Sequence, residues 1–298
     1  MFRVTNNTLF RNSLRDIQST AEAFARAQQQ VSSGKRIQQA SDDPSAAVTG
    51  LRERAEITAT DRYREANDSV DSRLRVTDTV LSDIISSITT AQTKGASGRT
   101  TVLTAEQREA VALEIDGVKQ AIFTAVNTSY RGIYLFAGAD NTTAPYTKAG
   151  TTISAYQGDA NVVRVDVSRT SSAAVTVDGG SVLQGSAASD LFQTLDALAA
   201  AVRAGNMTSI DTGLDELEQA FNRVTAAQSG VGATLSALPS EKARLDELRR
   251  ASDSRRSQAE EISLAEAISE MSRAQQAQQA AIAAAGTTQQ ISLMDYLR

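Results

Sequence analysis

The sequence predicts a mainly α protein: an elongated multi-helix rod of long antiparallel and coiled-coil helices formed by both termini, with a small β-rich inserted domain. Three observations predict it. Apolar residues near both ends advance by alternating steps of four and three, the spacing of a coiled-coil seam. Hydrophobic residues make up 41% of the 298 positions and aromatic ones 4%, with no Trp. That speaks against a thick globular core and for helices brought close by small side chains such as Ala. One internal stretch alternates in strand fashion instead.

At the N-terminal end the seam is Phe10, Leu14, Ile17, Ala21, Phe24, Gln28 and Val31. Near the other end Leu264, Ile268, Met271, Gln275, Gln278, Ile282 and Ala285 repeat the rhythm, again with Gln at core positions. So few large apolar side chains do not offset the entropy of ordering helices of this length, so neither end should fold alone. Two readings stay open. Either the termini close into a hairpin within one chain, or they order only when neighbouring copies complete the core.

The stretch "VSSGKRIQQASDDPSAAV", residues 31–48, breaks the helical pattern. Gly34 ends the first seam. Asp43 followed by Pro44 is a helix start: a side-chain oxygen for the orphan amides, then a residue whose missing N–H costs nothing there. A helix-compatible region runs on to about Thr93, with Val70, Leu74, Thr77, Leu81, Ile84, Ile88 and Ala91 as its stripe. At 1.5 Å per residue it would span roughly 75 Å. Gly95 and Gly98 then predict a turn, and Thr104 with Gln107 a capping box for the next helix. That helix carries Val111, Ile115, Val118, Ile122 and Ala125. Joined by so short a turn, the two helices should lie antiparallel, each covering the other's apolar face.

From Gly138 to about Ser186, "TTISAYQ", "NVVRVDV" and "AAVTV" read as strands and "DGG" at 178–180 as a turn. Helical periodicity returns at Leu191, Leu195 and Leu198, and again at Leu214, Leu217, Phe221 and Val224. Pro239 should kink or divide the helix in which it falls. The plan is nested. Residues 1–40 with 256–298 form a terminal coiled-coil domain, 41–137 with 187–255 a helical middle domain, and 138–186 a β-rich outer insertion.

Composition narrows the chemistry. The formal net charge is -5, from 30 basic and 35 acidic residues that are interspersed. That argues against nucleic-acid and anionic-membrane binding. There is no Cys and no His, which removes thiolate nucleophiles, disulfides, zinc-thiolate sites, and the commonest general base and metal ligand. No run has the length of a membrane span, and the first 30 residues read as lacking a cleavable signal. "SSGKR" lacks the first glycine and the hydroxyl residue of a phosphate loop. The pairs Asp42/Asp43 and Glu260/Glu261 read as a cap and a solvated helix face rather than as acid/base or metal sites. The Asn-x-Ser/Thr triplets at Asn127 and Asn141 read as chance matches. No catalytic, cofactor or metal site is expected, and the chain reads as a non-enzyme.

Three stretches together resemble the bacterial flagellin family: "VSSGKRIQQASDDPSAAV", "SLAEAISEMSRAQQAQQAAIAAAGTTQQISLMDYL" and "NTSYRGIYLFAGADNTTAPY", residues 127–146. The last, with the ending "ISLMDYLR", is similar more narrowly to the family's hook-filament junction branch. The resemblance implies a secreted structural subunit of the flagellum, exported unfolded through the type III channel. Its copies would self-assemble as a homo-oligomer between a first junction protein seated on the hook and the flagellin filament. A cytoplasmic export chaperone would bind the C-terminal region. The terminal helices would form an inner tube, the antiparallel helices a middle layer and the β insertion the outer surface. Assembly contacts would fall on the terminal seams, at Phe10, Leu14, Ile17, Phe24, Val31, Leu264, Ile268, Met271, Ile282, Leu293 and Leu297. The loop would add Gly34, Lys35, Arg36, Asp42 and Asp43. The alternatives are filament flagellin itself and a chemoreceptor-like signalling hairpin, which would have no β-rich middle.

Overall fold

A computed structural model describes residues 6–100, 102–150, 152–184 and 190–296, with the side chains of residues 6, 7, 9 and 288–296 left out. The fold is mainly helical with a small β part, as the sequence predicts. The chain divides into two compact units, Met1–Ala59 with Leu248–Arg298, and Thr60–Glu247.

The first unit contains α1 (Asn6–Ser33) and α7 (Leu264–Tyr296), which pack along each other. It also holds the start of α2 (Pro44–Gly98) and the end of α6 (Met207–Glu260). α1 ends because Gly34 takes φ +67, a left-handed conformation that closes a helix without a Cβ penalty. The amide of Ile262 donates to the Gly34 carbonyl at 3.1 Å, and Lys35 forms an antiparallel bridge with Glu261. The end of α1 therefore sits at the start of α7, and the packed pair is antiparallel. Within the chain the two terminal helices pack as a hairpin.

The second unit is the apolar core. Along α2, Leu74, Leu81 and Ile88 recur every seven residues and are buried, as are Val70, Ile84 and Ala91. Along α6, Leu217, Val224, Val231, Leu238 and Leu245 do the same. The two helices run antiparallel, because Asp68 meets Lys242 at 2.6 Å and Arg99 meets Asp211 at 3.0 Å. α3 (Ala105–Val126) starts with the expected capping box, Thr104 accepting from the Gln107 amide and Gln107 from the Thr104 amide. It lies antiparallel to α2, with Glu114 pairing to Lys94. It also packs closely along α5 (Leu191–Ala204), so its apolar face is shared between two neighbours.

Two expectations are corrected and a third, on Pro239, is narrowed. Gly95 and Gly98 do not form a turn; α2 runs through Gly95 and ends at Gly98. A Cβ on Gly95 would lie 2.9 Å from Leu214 Cδ2, and one on Gly98 2.9 Å from Val202 Cγ2. These glycines let α5 and α6 approach. Pro239 does not divide α6, which continues from Met207 to Glu260. The lost backbone bond and the clash of the ring with the preceding turn together cost about 3 kcal/mol, and the helix is held on both sides by the buried Leu238 and Leu245. "DGG" is not a hairpin turn: Asp178 accepts from the Gly180 amide and caps the short α4 (Gly179–Leu183).

Among the described residues the β part is three separate antiparallel hairpins: β1 (Ser129–Tyr130) with β2 (Ile133–Tyr134), β3 (Lys148–Ala149) with β4 (Thr152–Ile153), and β5 (Arg164–Asp166) with β6 (Ser172–Ala174). In the last, Val165 faces Ala173. Much of "TTISAYQ" and "AAVTV" stays outside the ladders. Its amides bond to other loops instead, such as Val177 to the Leu135 carbonyl and Gln157 to that of Pro145. Two strands bury too little to stand alone, so the hairpins rest on the helical core. "YLFAG" serves that anchoring: Leu135, Phe136 and Ala137 are fully buried, and the Phe136 carbonyl accepts from the Tyr156 hydroxyl at 2.9 Å.

Candidate assembly interface

The α1 and α7 hairpin splits each predicted seam. Ile17, Phe24 and Val31 are half-buried, and so is Met271. The residues that complete the inner seam are small: Ala27 and Ala267 are buried, while Ser13, Thr20, Ala274 and Ala281 are half-buried. The predicted seam ran one position away, through Leu14, Ala21, Gln28, Ile268, Gln275 and Ile282, because two stripes one position apart fit the same spacing and the large apolar residues favoured the outer one. Those large residues are left outside. Phe10, Leu14, Leu264, Ile268 and Ile282 are between 43% and 59% exposed. The Leu293 side chain and the whole of Leu297 lie outside the described residues.

The exposed residues share one face. At about 100° per residue, Leu14 and Ala21 sit to one side of Ile17, while Thr20 and Ala27 sit to the other. Ile268 and Ile282 are offset in the same sense from Met271, with Ala274 and Ala281 opposite. In an antiparallel pair, equal offsets point to the same side. Leu14 and Ile282 are also equally far along the chain from the bridged Lys35 and Glu261, which sets them at nearly the same level. The result is an apolar strip spanning both helices, above an Ala-rich seam.

The loop is organised by its own charges and by the α6 to α7 connection. The Arg36 amide donates to the Glu260 carbonyl at 2.7 Å, and its guanidinium to the Ala259 carbonyl at 2.9 Å. The same guanidinium pairs with Asp43 at 3.2 Å. Asp42 accepts the amides of Gln39 and Gln38 at 2.9 and 3.0 Å, and these bonds, Gln39 first, hold its carboxyl below the usual range. Asp43 caps α2 by accepting the Ala46 amide at 3.0 Å. That bond, then the Ser45 hydroxyl, lowers its pKa, with Arg36 contributing less. Lys35, Arg36 and Asp42 remain exposed, while Gly34 and Asp43 are half-buried. A polar cleft between α1 and this loop is lined by Glu22, Arg26, Gln29, Gln38, Gln39 and Asp42.

One acidic pair differs from expectation. Glu261 is exposed, but Glu260 is buried rather than on a solvated face, and its carboxylate pairs with Arg54. Glu53 is likewise buried and pairs with Arg255 at 3.0 Å, which holds its carboxyl below the usual range. Both partnerships link residues about two hundred positions apart, so nothing local announces them. Among the described residues no group of three or more His, Cys, Asp or Glu is placed to hold a metal ion, and no helix is long and apolar enough to cross a membrane.

Known proteins share the fold of this chain. A flagellar hook-associated protein 3 of Escherichia coli K12 is 24% identical over 261 residues, covering 80% of this chain and 81% of its own length. The solved structure of a Legionella pneumophila flagellar hook-associated protein 3 superposes with a TM-score of 0.62 at 14% identity, over 68% of this chain and 97% of that one. A Vibrio parahaemolyticus structure assigned to a flagellar hook-associated protein gives 0.69 at 20% identity, over 74% and 100%. These likenesses establish a common fold. The bacterial flagellin N-terminal helical region matches residues 4–141 and the bacterial flagellin C-terminal helical region matches residues 214–297. Since these two regions take in most of the chain and both halves of the terminal hairpin, the protein belongs to the bacterial flagellin family.

Proposed function

We propose that the chain is a structural, non-catalytic subunit of the bacterial flagellum that joins the hook to the flagellin filament by self-assembly through its terminal helices. Its main support is the apolar strip of Phe10, Leu14, Ile268 and Ile282, left open on a hairpin whose own seam is filled by small residues. Exposed apolar surface of this kind marks a protein interface. The curated relatives named flagellar hook-associated protein 3 point to the junction rather than to the filament.

In this reading copies of the chain contact one another along the strip. The loop residues Lys35, Arg36, Asp42 and Asp43 and the polar cleft beside them add directional contacts. One end of the assembly meets the first junction protein, the other meets flagellin. The β hairpins lie on the outer surface of the assembly. A cytoplasmic export chaperone holds the C-terminal helix before the chain leaves unfolded through the flagellar type III channel.

The test uses isolated hooks that carry the first junction protein. Flagellin should polymerise on them only after this chain has been added, and Leu14→Asp or Ile282→Asp should abolish that effect while leaving the helical content unchanged. Filament growth without the chain, or extension of the chain itself into long filaments, would overturn the junction role in favour of a filament subunit.

A further inference from the structure

The two connections that bound the α1 and α7 hairpin, residues 34–43 and 261–263, are bound to each other and to the ends of α2 and α6. The Gly34 carbonyl accepts from Ile262, the Glu260 carbonyl accepts from Arg36, and the Arg36 guanidinium reaches Ala259. Directly beneath, the Glu260 carboxylate lies over Gly50, where a Cβ would be 2.1 Å from its Oε1. It is held by Arg54, with Arg256 at 3.9 Å. One turn along, Glu53 receives both Nε and Nη2 of Arg255 at 3.0 Å, and Arg255 also donates to Ser252.

Apolar burial is sparse in this region, with Ile37 the buried apolar residue of the 34–43 connection. Between Pro44 and Ala59 of α2, and between Leu248 and Glu260 of α6, the buried residues are Gly50, Glu53, Ser252 and Glu260. The cohesion here is electrostatic. The side chains of both carboxylates are nearly enclosed, whereas those of Arg54 and Arg255 are about half exposed. Salt therefore reaches the cationic side of each pair, and a carboxylate that loses its partner is left buried and uncompensated.

We infer that this region is an ionic joint that opens as one unit, with Glu260 as its positioning residue. Its side chain fixes α2 against α6 while its backbone carbonyl fixes the loop, so releasing the carboxylate loosens the loop, the α6 to α7 connection and the start of α2 together. The joint deepens the proposed function by giving the terminal hairpin a way to reset its angle on these helix ends as it is received between unlike neighbours. It depends on that reading for its purpose only. The measurement is made on the unassembled chain, so failure of the joint and failure of the junction role are distinguishable.

Amide hydrogen exchange of the full chain at about 0.05 M and about 0.5 M salt tests it. The amides of Arg36 and Ile262, with those of residues 50–58 and 248–258, should exchange roughly three- to tenfold faster at the higher salt. Those of residues 81–91 and 115–122, in the apolar core, should not change. Glu260→Gln should give the same acceleration at low salt. Gly50→Ala, whose methyl would displace the carboxylate without removing its charge, should do so too. Exchange that ignores salt, that rises in only one of the two connections, or that rises equally in the core overturns the joint. So does a folded Glu260→Gln protein that exchanges like the unaltered chain.

Discussion

Asp190 shows how much one buried side chain can carry. Its Oδ1 accepts the Phe192 amide at 2.9 Å and so caps α5, yet the residue is buried. Burial pushes its carboxyl above the ordinary 3.8, against the pull of the Phe192 amide, Gln184 and Arg223. A raised folded-state value means that the folded chain holds the proton longer than the unfolded chain does. Stability from this group is therefore highest at low pH and falls as pH rises from the unfolded value through the folded one. Asp190→Asn keeps an oxygen for the cap and removes the buried charge. Urea unfolding at pH 7 should find it as stable as the unaltered chain or more so, whereas Asp190→Ala should lose about 1 kcal/mol. An Asn variant as damaged as the Ala variant would show that the charge itself is stabilising. Caps of this sort are local, which is why Thr104 with Gln107 and Asp43 with Pro44 could be read from the sequence. The Glu260 and Arg54 pair could not, since only the fold brings those positions together.

At the scale of elements, periodicity identified the long helices because a stripe repeated over many turns outweighs any single residue. Punctuation was less reliable. Gly95 and Pro239 both look like breaks, and both lie inside helices whose neighbours hold them. Gly95 is a contact position: Leu198 is wedged between it and Gly213, where an added Cβ would meet Leu198 Cδ1 at 3.2 Å. Leu198 is fully buried, so displacing it disturbs close-packed neighbours. Gly95→Ala should therefore cost about 1 to 3 kcal/mol by overpacking, despite a better helix propensity. Gly230, in α6, has open space where a Cβ would stand, and Gly230→Ala should gain about 0.5 to 1 kcal/mol. Thermal or urea unfolding of the two single variants compares them directly, and equal effects of one sign would contradict the packing role given to Gly95. The short strands were the least legible elements, because their ends are set by loops bonding to loops rather than by alternation.

For the molecule as a whole, the distribution of apolar side chains between the two units is uneven. Among the described residues, Ala27, Ile37 and Ala267 are the buried apolar residues of Met1–Ala59 with Leu248–Arg298; the rest of the core lies in Thr60–Glu247. Most of the exposed large apolar residues follow the opposite rule: Phe10, Leu14, Val48, Leu51, Leu248, Leu264, Ile268 and Ile282 all belong to the first unit. The sequence carried this asymmetry in its seams, where Gln replaces large apolar residues and Ala fills the gaps. It could not show which side of each helix would face its partner, since two stripes one position apart fit the same rhythm. A unit with so little buried apolar surface should open locally at a small fraction of the global unfolding free energy. Limited proteolysis of the full-length monomer, followed by mass spectrometry, should therefore cut first at residues 34–43 and 261–263 and within α1 and α7. A resistant fragment containing Thr60–Glu247 should remain, with β3 and β4 nicked later. The cleavage pattern should invert once copies associate, because the strip of Phe10, Leu14 and Ile282 is then covered and the helices bearing it are held closed. Ends that resist protease in a sample shown to be monomeric would mean that the hairpin is stable by itself, and association would have to be explained without any gain in its order.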